Sequence, residues 1–437
     1  MPPLPSPRAP AALLLCLPLF LAACGEDGAS KGADGAGDDA ADPTTPPEFY
    51  ADVAPMLAEN CLRCHTEGGQ GPGDFSDPAV VDALAEVMLA AIDDGRMPPP
   101  VADPSCRDYI GSEHLTLKPG ARDAFAAWVN SARLVGAAPD SPMQAPVAPE
   151  LTGADMELLI PSAYTPVYAD TVNPGNEYRC FVLDTGHTED FFITAMHPLV
   201  DAAEILHHSV LFSMPKDELD ARWLDPQGVD CINDFGNVDG MISAWAPGML
   251  PIEFEDGAGI RVQGDRVLVL QLHYYASATG VTDRSGYAMR TAPSVTRELR
   301  MAPFGAYGFR IPAGEPNYSH LETISWGDGY PPIRVWGSFP HMHVLGTGYR
   351  MWVEREDGTE DCLLEGNERY DFHNQLTYMF NEAPVVRPGD RVHFECTWDN
   401  SAENPNQLFD PPQDIGYGER TDQEMCYAFT LVSVGEF

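Results

Sequence analysis

The sequence from residue 155 onward consists of short runs in which apolar and polar residues alternate. Two examples are "RVLVLQLHYY" at 266–275 and "RVHFECTW" at 391–398, and Gly, Pro and Asp punctuate the segments between such runs. Alternation with a period of two places every second side chain on one face of a strand, so these runs predict β-strands. Short strands joined by turns are typical of antiparallel sandwiches rather than of βαβ units. Because the segment is long for one sandwich, we expect two all-β sandwiches, over residues 155–298 and 299–437.

The earlier part of the chain has apolar residues at helical spacing instead. Phe49, Val53 and Met56 are spaced as on one face of a helix, and Phe125 and Trp128 indicate another helix after "KPG". A stretch rich in Pro and Ala follows, which is typical of a linker. We therefore predict a multidomain protein with a small all-α domain over residues 47–135, a linker over 136–154, and then the two sandwiches.

The N-terminus has the features of an export signal. Arg8 precedes the apolar run "AALLLCLPLFLA", and "LAAC" ends at Cys24, as in a secretory signal with a lipoprotein cleavage box. We expect the signal over residues 1–24 to be cleaved before Cys24 and that cysteine to be acylated, which anchors the protein to a membrane; an uncleaved membrane anchor is the alternative. Residues 25–46 have no periodic apolar residues and predict a flexible tether. This signal type is bacterial and predicts the cell envelope, and Gly25 favours the outer membrane.

The charge and the cysteines narrow the function classes. The formal net charge of −41 argues against nucleic-acid binding, because a phosphate backbone is held by clustered Lys and Arg. That charge suits a cationic or neutral substrate or a basic redox partner, although it is equally explained by solubility alone. Six cysteines lie outside the signal and the Cys61–Cys64 motif, and in an exported protein we expect them to form disulfides.

The sequence "CLRCH" at 61–65 has the spacing of a c-type haem attachment site. Two thiols, Cys61 and Cys64, form thioethers with the haem and the adjacent His65 binds its iron. A zinc or thiol-redox site is the alternative, but no second C-x-x-C or His pair completes a zinc set. Met97, in the Pro-stiffened "DGRMPPP", is the candidate sixth ligand unless it only packs on the haem edge, and the rival ligands are Met88 and His114. Residues 47–135 resemble a small class I cytochrome c domain, which implies one-electron transfer.

A second group of candidate ligands is spread over the β-rich half. In "GSFPHMHVLG", His341 and His343 project from the same face of a strand and can share a metal, although a lone H-x-H is also compatible with surface or core polarity. His207 and His208 are adjacent, so joint ligation requires a bulge or a strand end. The remaining candidates are His273, which shares a face with Gln271, and Met425 in "DQEMCYAF". Imidazoles suit copper in both oxidation states and a thioether selects Cu(I), which indicates a copper that binds oxygen when reduced.

The order H-H, Q-x-H-Y, H-x-H-x-x-G and E-M-C resembles the copper type II monooxygenases, the family of peptidylglycine α-hydroxylating and dopamine β-monooxygenases. The resemblance covers about residues 155–437. It implies two jelly-roll-like sandwiches that carry one copper each across an open cleft. The electron-storing copper is then held by His207, His208 and His273. The copper that binds dioxygen is then held by the catalytic residues His341, His343 and Met425.

The resemblance also implies disulfides and positions near the first copper. The implied pairs are Cys180 with Cys231 and Cys396 with Cys426, whereas Cys106 and Cys362 have no assignable partner and either pair across domains or remain free. Tyr178 and Gln271 match residues near the electron-storing copper, or are ordinary strand residues.

One departure concerns the substrate. The peptide-amidating members bind the substrate carboxylate with an Arg, an Asn and a Tyr, where this sequence has Phe339, Tyr427 and Phe429. A free carboxylate loses its bidentate partner, so we expect an apolar or aromatic pocket and no peptide amidation.

These features together predict a lipid-anchored copper monooxygenase that hydroxylates a C–H bond of a small organic substrate with O2. We expect two coppers and one covalent c-type haem, with electrons passing from the haem and supplied by a redox partner protein or an ascorbate-like reductant. The alternative is a copper-binding or electron-transfer lipoprotein without a hydroxylated substrate. A structural sandwich with coincidental histidines would require four ordered motifs to arise by chance.

Overall fold

The structure is a computed structural model. It describes residues 46–435 except 142, 145–149, 170–174, 232–238, 256, 368, 373 and 419. The predicted signal peptide, Cys24 as the predicted acylation site, and all but the last residue of the predicted tether lie outside the described residues.

Helices occupy the first part of the described chain. Asp77 caps the longest of them, because its carboxylate accepts from Ala79 N at 2.8 Å, and Pro78 follows at the first helical position. Phe49, Val53, Phe125 and Trp128 are fully or almost fully buried in one core cluster, as their helical spacing predicts. The helical segments are a π-helical turn (Phe49–Val53), α1 (Ala54–Asn60), α2 (Pro78–Asp93), α3 (Ser112–Leu115) and α4 (Ala121–Val129).

Among the described residues, we find no helix with the length and apolar character required to cross a membrane.

From Met156 onward the described chain is almost entirely β-structure, in agreement with the predicted sandwich architecture. A short 3-10 turn (Lys216–Glu218) follows the fourth strand. The strands are β1 (Met156–Leu159), β2 (Asn176–Leu183), β3 (Phe191–Leu199), β4 (Leu206–Pro215), β5 (Val229–Asp230), β6 (Asp239–Trp245), β7 (Ile252–Glu253), β8 (Ala258–Val262), β9 (Arg266–Tyr275), β10 (Gly286–Ala292), β11 (Arg297–Ala306), β12 (Arg310–Ile311), β13 (Tyr318–Ser325), β14 (Ile333–His341), β15 (Gly346–Glu354), β16 (Glu360–Gly366), β17 (Tyr378–Met379), β18 (Val385–Val386), β19 (Arg391–Trp398), β20 (Ile415–Gly416) and β21 (Cys426–Val434).

One ten-stranded sheet extends through both halves of the β-structure. Its main path is β1-β10-β3-β8-β11-β21-β14-β17, with β7 on β3 and β18 on β14. A five-stranded sheet, β5-β2-β9-β4-β6, and a four-stranded sheet, β13-β19-β15-β16, contribute to the same main core. Strand β11 joins the halves, because it pairs in parallel with β8 and antiparallel with β21. The two halves are therefore connected by backbone hydrogen bonds as well as by side-chain packing.

Three disulfides cross-link the described chain. Cys180 is bonded to Cys231 and Cys396 to Cys426, the two pairs that the family resemblance implied. Cys106 is bonded to Cys362 across a sequence separation of 256, so these two cysteines pair rather than remain free. This third bridge attaches the chain after α2 to β16.

The segment 101–110, which we term the strap, lies against the C-terminal half of the β-structure. Asp103 N donates to Glu365 O at 2.7 Å, and Ile110 N donates to Met379 O at 2.8 Å. Arg107 Nε donates to Cys362 O at 3.0 Å, next to the disulfide. The strap thus fixes the helical region to β16 and β17, two strands of different sheets that are far away in the sequence.

Candidate metal centres

Three imidazoles converge on the five-stranded sheet. One ring nitrogen from each of His207, His208 and His273 lies within 4.8 Å of the others. His208 Nδ1 lies 3.1 Å from His207 Nδ1 and 3.2 Å from His273 Nδ1. Three neutral imidazoles at this separation can bind one transition metal ion, and we term this group the first metal site.

A β-bulge brings the two adjacent histidines of β4 together. Leu206 pairs with Tyr274 and His208 pairs with His273, so His207 is an extra residue in β4 relative to β9. In a regular strand His207 and His208 would point to opposite faces. The bulge removes that alternation. Joint ligation by His207 and His208 was expected to require such a bulge or a strand end.

The surroundings of His273 orient its ring. Its Nε2 lies 2.7 Å from Asn176 Oδ1, and because that oxygen can only accept, the proton is on Nε2 and Nδ1 is left for a metal. The Tyr178 ring stacks on the imidazole with centroids 4.1 Å apart. Gln271 points elsewhere, with its amide nitrogen 3.6 Å from Cys231 Sγ. Tyr178 therefore contacts the candidate ligand His273 directly, whereas Gln271 contacts the Cys180–Cys231 disulfide.

The second candidate site is at the end of β14. The His341 and His343 rings have centroids 5.2 Å apart and are nearly perpendicular. His341 Nδ1 donates to Gln375 Oε1 at 2.6 Å, and His343 Nδ1 donates to Gln423 O at 3.0 Å. The bond of His341 uses Nδ1, so its Nε2 remains available to a metal, and the Gln423 carbonyl orients the His343 ring. Burial lowers the pKa of His341 and lowers that of His343 to about 3, with the neighbouring His341 adding to the second shift, so both rings are neutral at pH 7.

Met425 lies close to His343 through a shared partner. Met425 N and His343 N both lie within 3.3 Å of Glu424 Oε2. The pairing of β14 with β21 ends at His341 and Tyr427, because β14 ends at His341. Met425 directly precedes Cys426, whose disulfide to Cys396 ties the start of β21 to β19. We term His341, His343 and Met425 the second metal site.

A buried carboxylate connects the parts of the second metal site. Glu424 Oε2 accepts from His343 N at 2.8 Å and from Trp398 Nε1 at 3.0 Å, and Met425 N lies 3.3 Å from the same oxygen. Its Oε1 accepts from Leu345 N at 2.8 Å. Burial raises the pKa of Glu424 to about 7, and these donors oppose that rise. Glu424 thus holds the H-x-H segment against the residue that carries the thioether.

The faces that carry the two sites meet in an apolar cluster, defined by Val210, Phe212, Met241, Ala244, Phe339 and Phe429. Val210 and Phe212 follow His208 by two and four residues, hence on the same face of β4. Phe339 stacks on His341 with centroids 5.8 Å apart. Nearby, Thr377 Oγ1 donates to Ala244 O at 2.9 Å, so the contact between the halves also has a polar bond.

The aromatic positions flagged by the sequence lie at this junction. Phe339 is opposite Phe429 in the β14–β21 register, and Tyr427 stacks on Phe429 with centroids 5.5 Å apart. Tyr427 is also in edge contact with Tyr307 at 5.5 Å. The second metal site therefore has an aromatic border where the amidating enzymes have residues that bind a carboxylate.

The C-x-x-C-H segment follows α1. Cys61 and Cys64 are free thiols, and burial raises the pKa of Cys64 and raises that of Cys61 to about 12, with Cys64 adding to the latter. His65 Nδ1 donates to Pro72 O at 2.8 Å, which leaves Nε2 for a metal. A Cβ at Gly71 would lie 2.7 Å from the His65 ring, so glycine is required for this close approach. The donor set and its orientation fit a covalently attached haem.

The candidate sixth ligands differ in their surroundings. Met97 is 41% exposed just beyond α2, whereas Met88 packs against the helical core. His114 Nε2 lies 3.1 Å from Glu113 Oε1. Met97 thus lies at the surface, and Met88 is the candidate that already contacts the apolar interior.

Several residues of these centres were not anticipated from the sequence. Asn176 and Gln375 carry no local motif, and their roles arise from contacts with residues 97 and 34 positions away. Glu424 had one available signal, since it is the acidic residue of the E-M-C motif, of which only the Met was read as a ligand.

Comparison with known proteins places these observations in a family context. Residues 329–432 match the family model "Copper type II ascorbate-dependent monooxygenase, C-terminal domain". The chain is 26% identical over 299 residues to tyramine beta-hydroxylase of Caenorhabditis briggsae, which covers 62% of this chain and 48% of that protein. It is 25% identical over 267 residues to DBH-like monooxygenase protein 1 of Gallus gallus (56% and 42%) and 26% identical over 200 residues to dopamine beta-hydroxylase of Canis lupus familiaris (43% and 31%).

The matched region covers less than half of each of these relatives. Among solved structures, the major capsid protein P2 of bacteriophage PM2 aligns with 60% of this chain and 98% of that chain, at 6% identity and a TM-score of 0.24, which supports no conclusion. The segment matched by the family model contains His341, His343 and Met425, the residues of the second metal site.

Proposed function

We propose that this protein hydroxylates a C–H bond of a small organic substrate with O2, using two copper ions. The observation that carries this proposal is the presence of two separate imidazole groups, His207/His208/His273 and His341/His343, on strand faces that meet in one apolar cluster. The family match over 329–432 includes all three residues of the second metal site.

The donor sets support different roles for the two sites. His207, His208 and His273 offer three nitrogens, a set that suits copper in both oxidation states, so we assign the electron-storing copper to them. His341, His343 and Met425 add a thioether, which favours Cu(I), the state required to react with O2. When bound, copper supplies one-electron redox chemistry and oxygen activation.

The protein's own residues prepare the second site for that chemistry. Gln375 and the Gln423 carbonyl orient the two imidazoles, and Glu424 fixes the backbone of His343 next to Met425. The apolar cluster excludes water from the His341 side, which suits an unactivated or benzylic C–H bond.

The substrate we propose is a small aromatic or aliphatic molecule without a free carboxylate at the reacting end. Phe339 and Phe429 contact His341, and Tyr427 stacks on Phe429 beside them, so stacking and apolar contact dominate recognition. The net charge of −41 favours a neutral or cationic molecule. Two relatives are named for tyramine and dopamine, and aromatic amines are therefore the first class to screen.

For electron supply we propose a covalent c-type haem on Cys61 and Cys64 with His65 as an axial ligand. Both thiols are free and the Pro72 carbonyl orients His65. Met97, Met88 or His114 completes the coordination. When bound, the haem supplies single electrons, which it receives from a redox partner protein or an ascorbate-like reductant.

We further propose that the protein is a lipoprotein of the bacterial cell envelope, anchored through Cys24. The sequence "LAAC" and the tether after it support acylation. Three disulfides in the described chain support an oxidising compartment.

The copper-to-haem ratio of exported, copper-reconstituted protein tests this proposal, with His207→Ala and Met425→Ala as variants. We expect about two coppers per haem, with each variant losing a different copper. Electron paramagnetic resonance of the oxidised protein distinguishes the two sites. Substrate-dependent O2 uptake is then measured with aromatic amines, neutral aromatics and aliphatic compounds.

The outcomes separate the hypotheses. Two coppers without O2 uptake on any substrate class would leave a copper-binding or electron-transfer protein. Absence of copper would remove the monooxygenase proposal, and copper without haem would remove only the proposed electron supply.

A further inference from the structure

The loop 66–72 connects the haem-attachment segment to the strand of the first metal site. Its base is fixed on the C-x-x-C-H segment, since Gly71 N donates to Cys64 O at 2.8 Å. Its end holds the axial candidate, because the Pro72 carbonyl accepts from His65 Nδ1 at 2.8 Å. The loop is therefore part of the proposed haem site rather than an independent surface feature.

Gln70, in the middle of this loop, reaches the β-structure. Its Nε2 donates to Leu206 O at 3.1 Å, across 136 residues of sequence. A backbone carbonyl can only accept, which assigns the amide nitrogen to this side. Leu206 is 1% exposed and is bonded through the peptide to His207, a ligand of the first metal site.

Beside the bond between Gln70 and Leu206, a cavity separates the helical region from the β-structure. A cavity of about 850 Å³ is lined by Arg63, Cys64 and Gln70 on the helical side and by Pro198 and Leu206 on the sheet side. Electronic coupling decays more steeply through space than through covalent and hydrogen bonds. A bonded contact at the edge of a cavity therefore offers the better route for an electron than the cavity itself.

We propose that Gln70 couples the haem to the electron-storing copper through its hydrogen bond to the Leu206 carbonyl, an inference that rests on the proposed function. The route from the His65 ring comprises the bond to Pro72 O, the consecutive residues 72, 71 and 70, the bond to Leu206 O, and the peptide link to His207. One electron leaves ferrous haem, which becomes ferric, and reduces Cu(II) to Cu(I), with no bond broken and no proton transferred.

The fold separates this coupling role from a purely structural one. The helical region is also held by the strap, through the Cys106–Cys362 disulfide and the bond from Asp103 N to Glu365 O. These attachments are on the C-terminal half and do not involve Gln70. Removal of the Gln70 side chain should therefore interrupt the route while the helical region stays docked.

The experiment uses the full chain loaded with haem and copper. A single electron is delivered to the haem by a photoreductant with both coppers oxidised, and the decay of the ferrous haem absorbance is followed. Gln70→Ala deletes the route, and Gln70→Glu keeps the size but replaces the donor with a carboxylate that cannot donate. Glu67→Ala, an exposed residue of the same loop, is the matched control.

We expect both Gln70 variants to slow haem oxidation by about tenfold or more, equivalent to ~1.4 kcal/mol in activation free energy, while Glu67→Ala keeps the wild-type rate. In Gln70→Ala, which adds no charge beside the haem, the haem reduction potential, the copper content and the thermal unfolding midpoint should be unchanged, which a merely structural role for Gln70 would not predict. Wild-type rates in both variants would overturn the proposed role of Gln70 but would leave the haem-fed electron supply in place. Ferrous haem that persists beside Cu(II) in the wild type would instead overturn the haem-fed electron supply as well.

Discussion

Replacement of Glu424 by Gln should weaken both the fold and the second metal site. The carboxylate accepts from Leu345 N on one oxygen, and from His343 N, Trp398 Nε1 and Met425 N on the other. A glutamine can keep its oxygen at the second position and retain those bonds. Its amide NH2 then faces the Leu345 N–H, so two donors oppose each other in a buried site.

The magnitude follows from that one lost bond. A buried donor without a partner costs about 1–3 kcal/mol, so we expect a loss of ~2 kcal/mol in the free energy of unfolding. The retained bonds weaken because the acceptor is no longer charged, but a neutral amide also costs less to bury than a carboxylate, and these two effects offset each other. Residues that orient metal ligands typically change metal affinity by about 10–100-fold, and we expect this loss at the second metal site only.

The assay combines urea denaturation, followed by tryptophan fluorescence, with Cu(I) competition titrations of each site. Glu356→Gln is the matched control, because Glu356 is an exposed carboxylate and its change should cost less than ~0.5 kcal/mol. The reasoning would be refuted if Glu424→Gln matched that control in stability and bound both coppers with wild-type affinity. A loss at the first metal site instead of the second would also contradict it.

Three further perturbations follow from the structure. Asn176→Ala removes the acceptor that sets the His273 tautomer, and copper titration should show a loss of about 10–100-fold in affinity at the first metal site while the second is unchanged. Cys106→Ser with Cys362→Ser opens a loop with a sequence separation of 256, for which chain entropy predicts a loss of up to ~5 kcal/mol, measured as a lower midpoint in urea. Arg355→Met leaves the buried carboxylate of Asp390 without its guanidinium at 2.9 Å and should cost ~3 kcal/mol by the same measurement.

Each of these predictions has a contradicting result. Equal copper affinities in Asn176→Ala and the wild type would show that the bond does not set the ring orientation. An unchanged urea midpoint without the Cys106–Cys362 bridge would show that the strap is held by its hydrogen bonds alone. Arg355→Met at wild-type stability would show that Asp390 is satisfied by its bond from Arg387 N, at 2.9 Å.

The patterns that were readable from the sequence are those that depend on near neighbours. Alternation in runs such as 266–275 and 391–398 predicted strands, and both runs are strands β9 and β19. The same period predicted neighbouring rings for His341 and His343, whose centroids lie 5.2 Å apart, although β14 ends at His341 and His343 follows it. The adjacent pair His207 and His208 was conditional on a bulge, and β4 has a bulge at that point. The metal and haem roles of these residues stay predictions.

The remaining features were decided by contacts between residues far apart in the chain. No local pattern indicates that Cys106 meets Cys362, that Gln375 holds His341, or that Gln70 reaches Leu206. Nor does it indicate that β11 joins the two halves into one ten-stranded sheet. Residue spacing specifies which face of a strand a side chain occupies, because backbone geometry is local. The residue that a side chain meets across that face depends on strand pairing and on packing between sheets, and only the folded chain determines those.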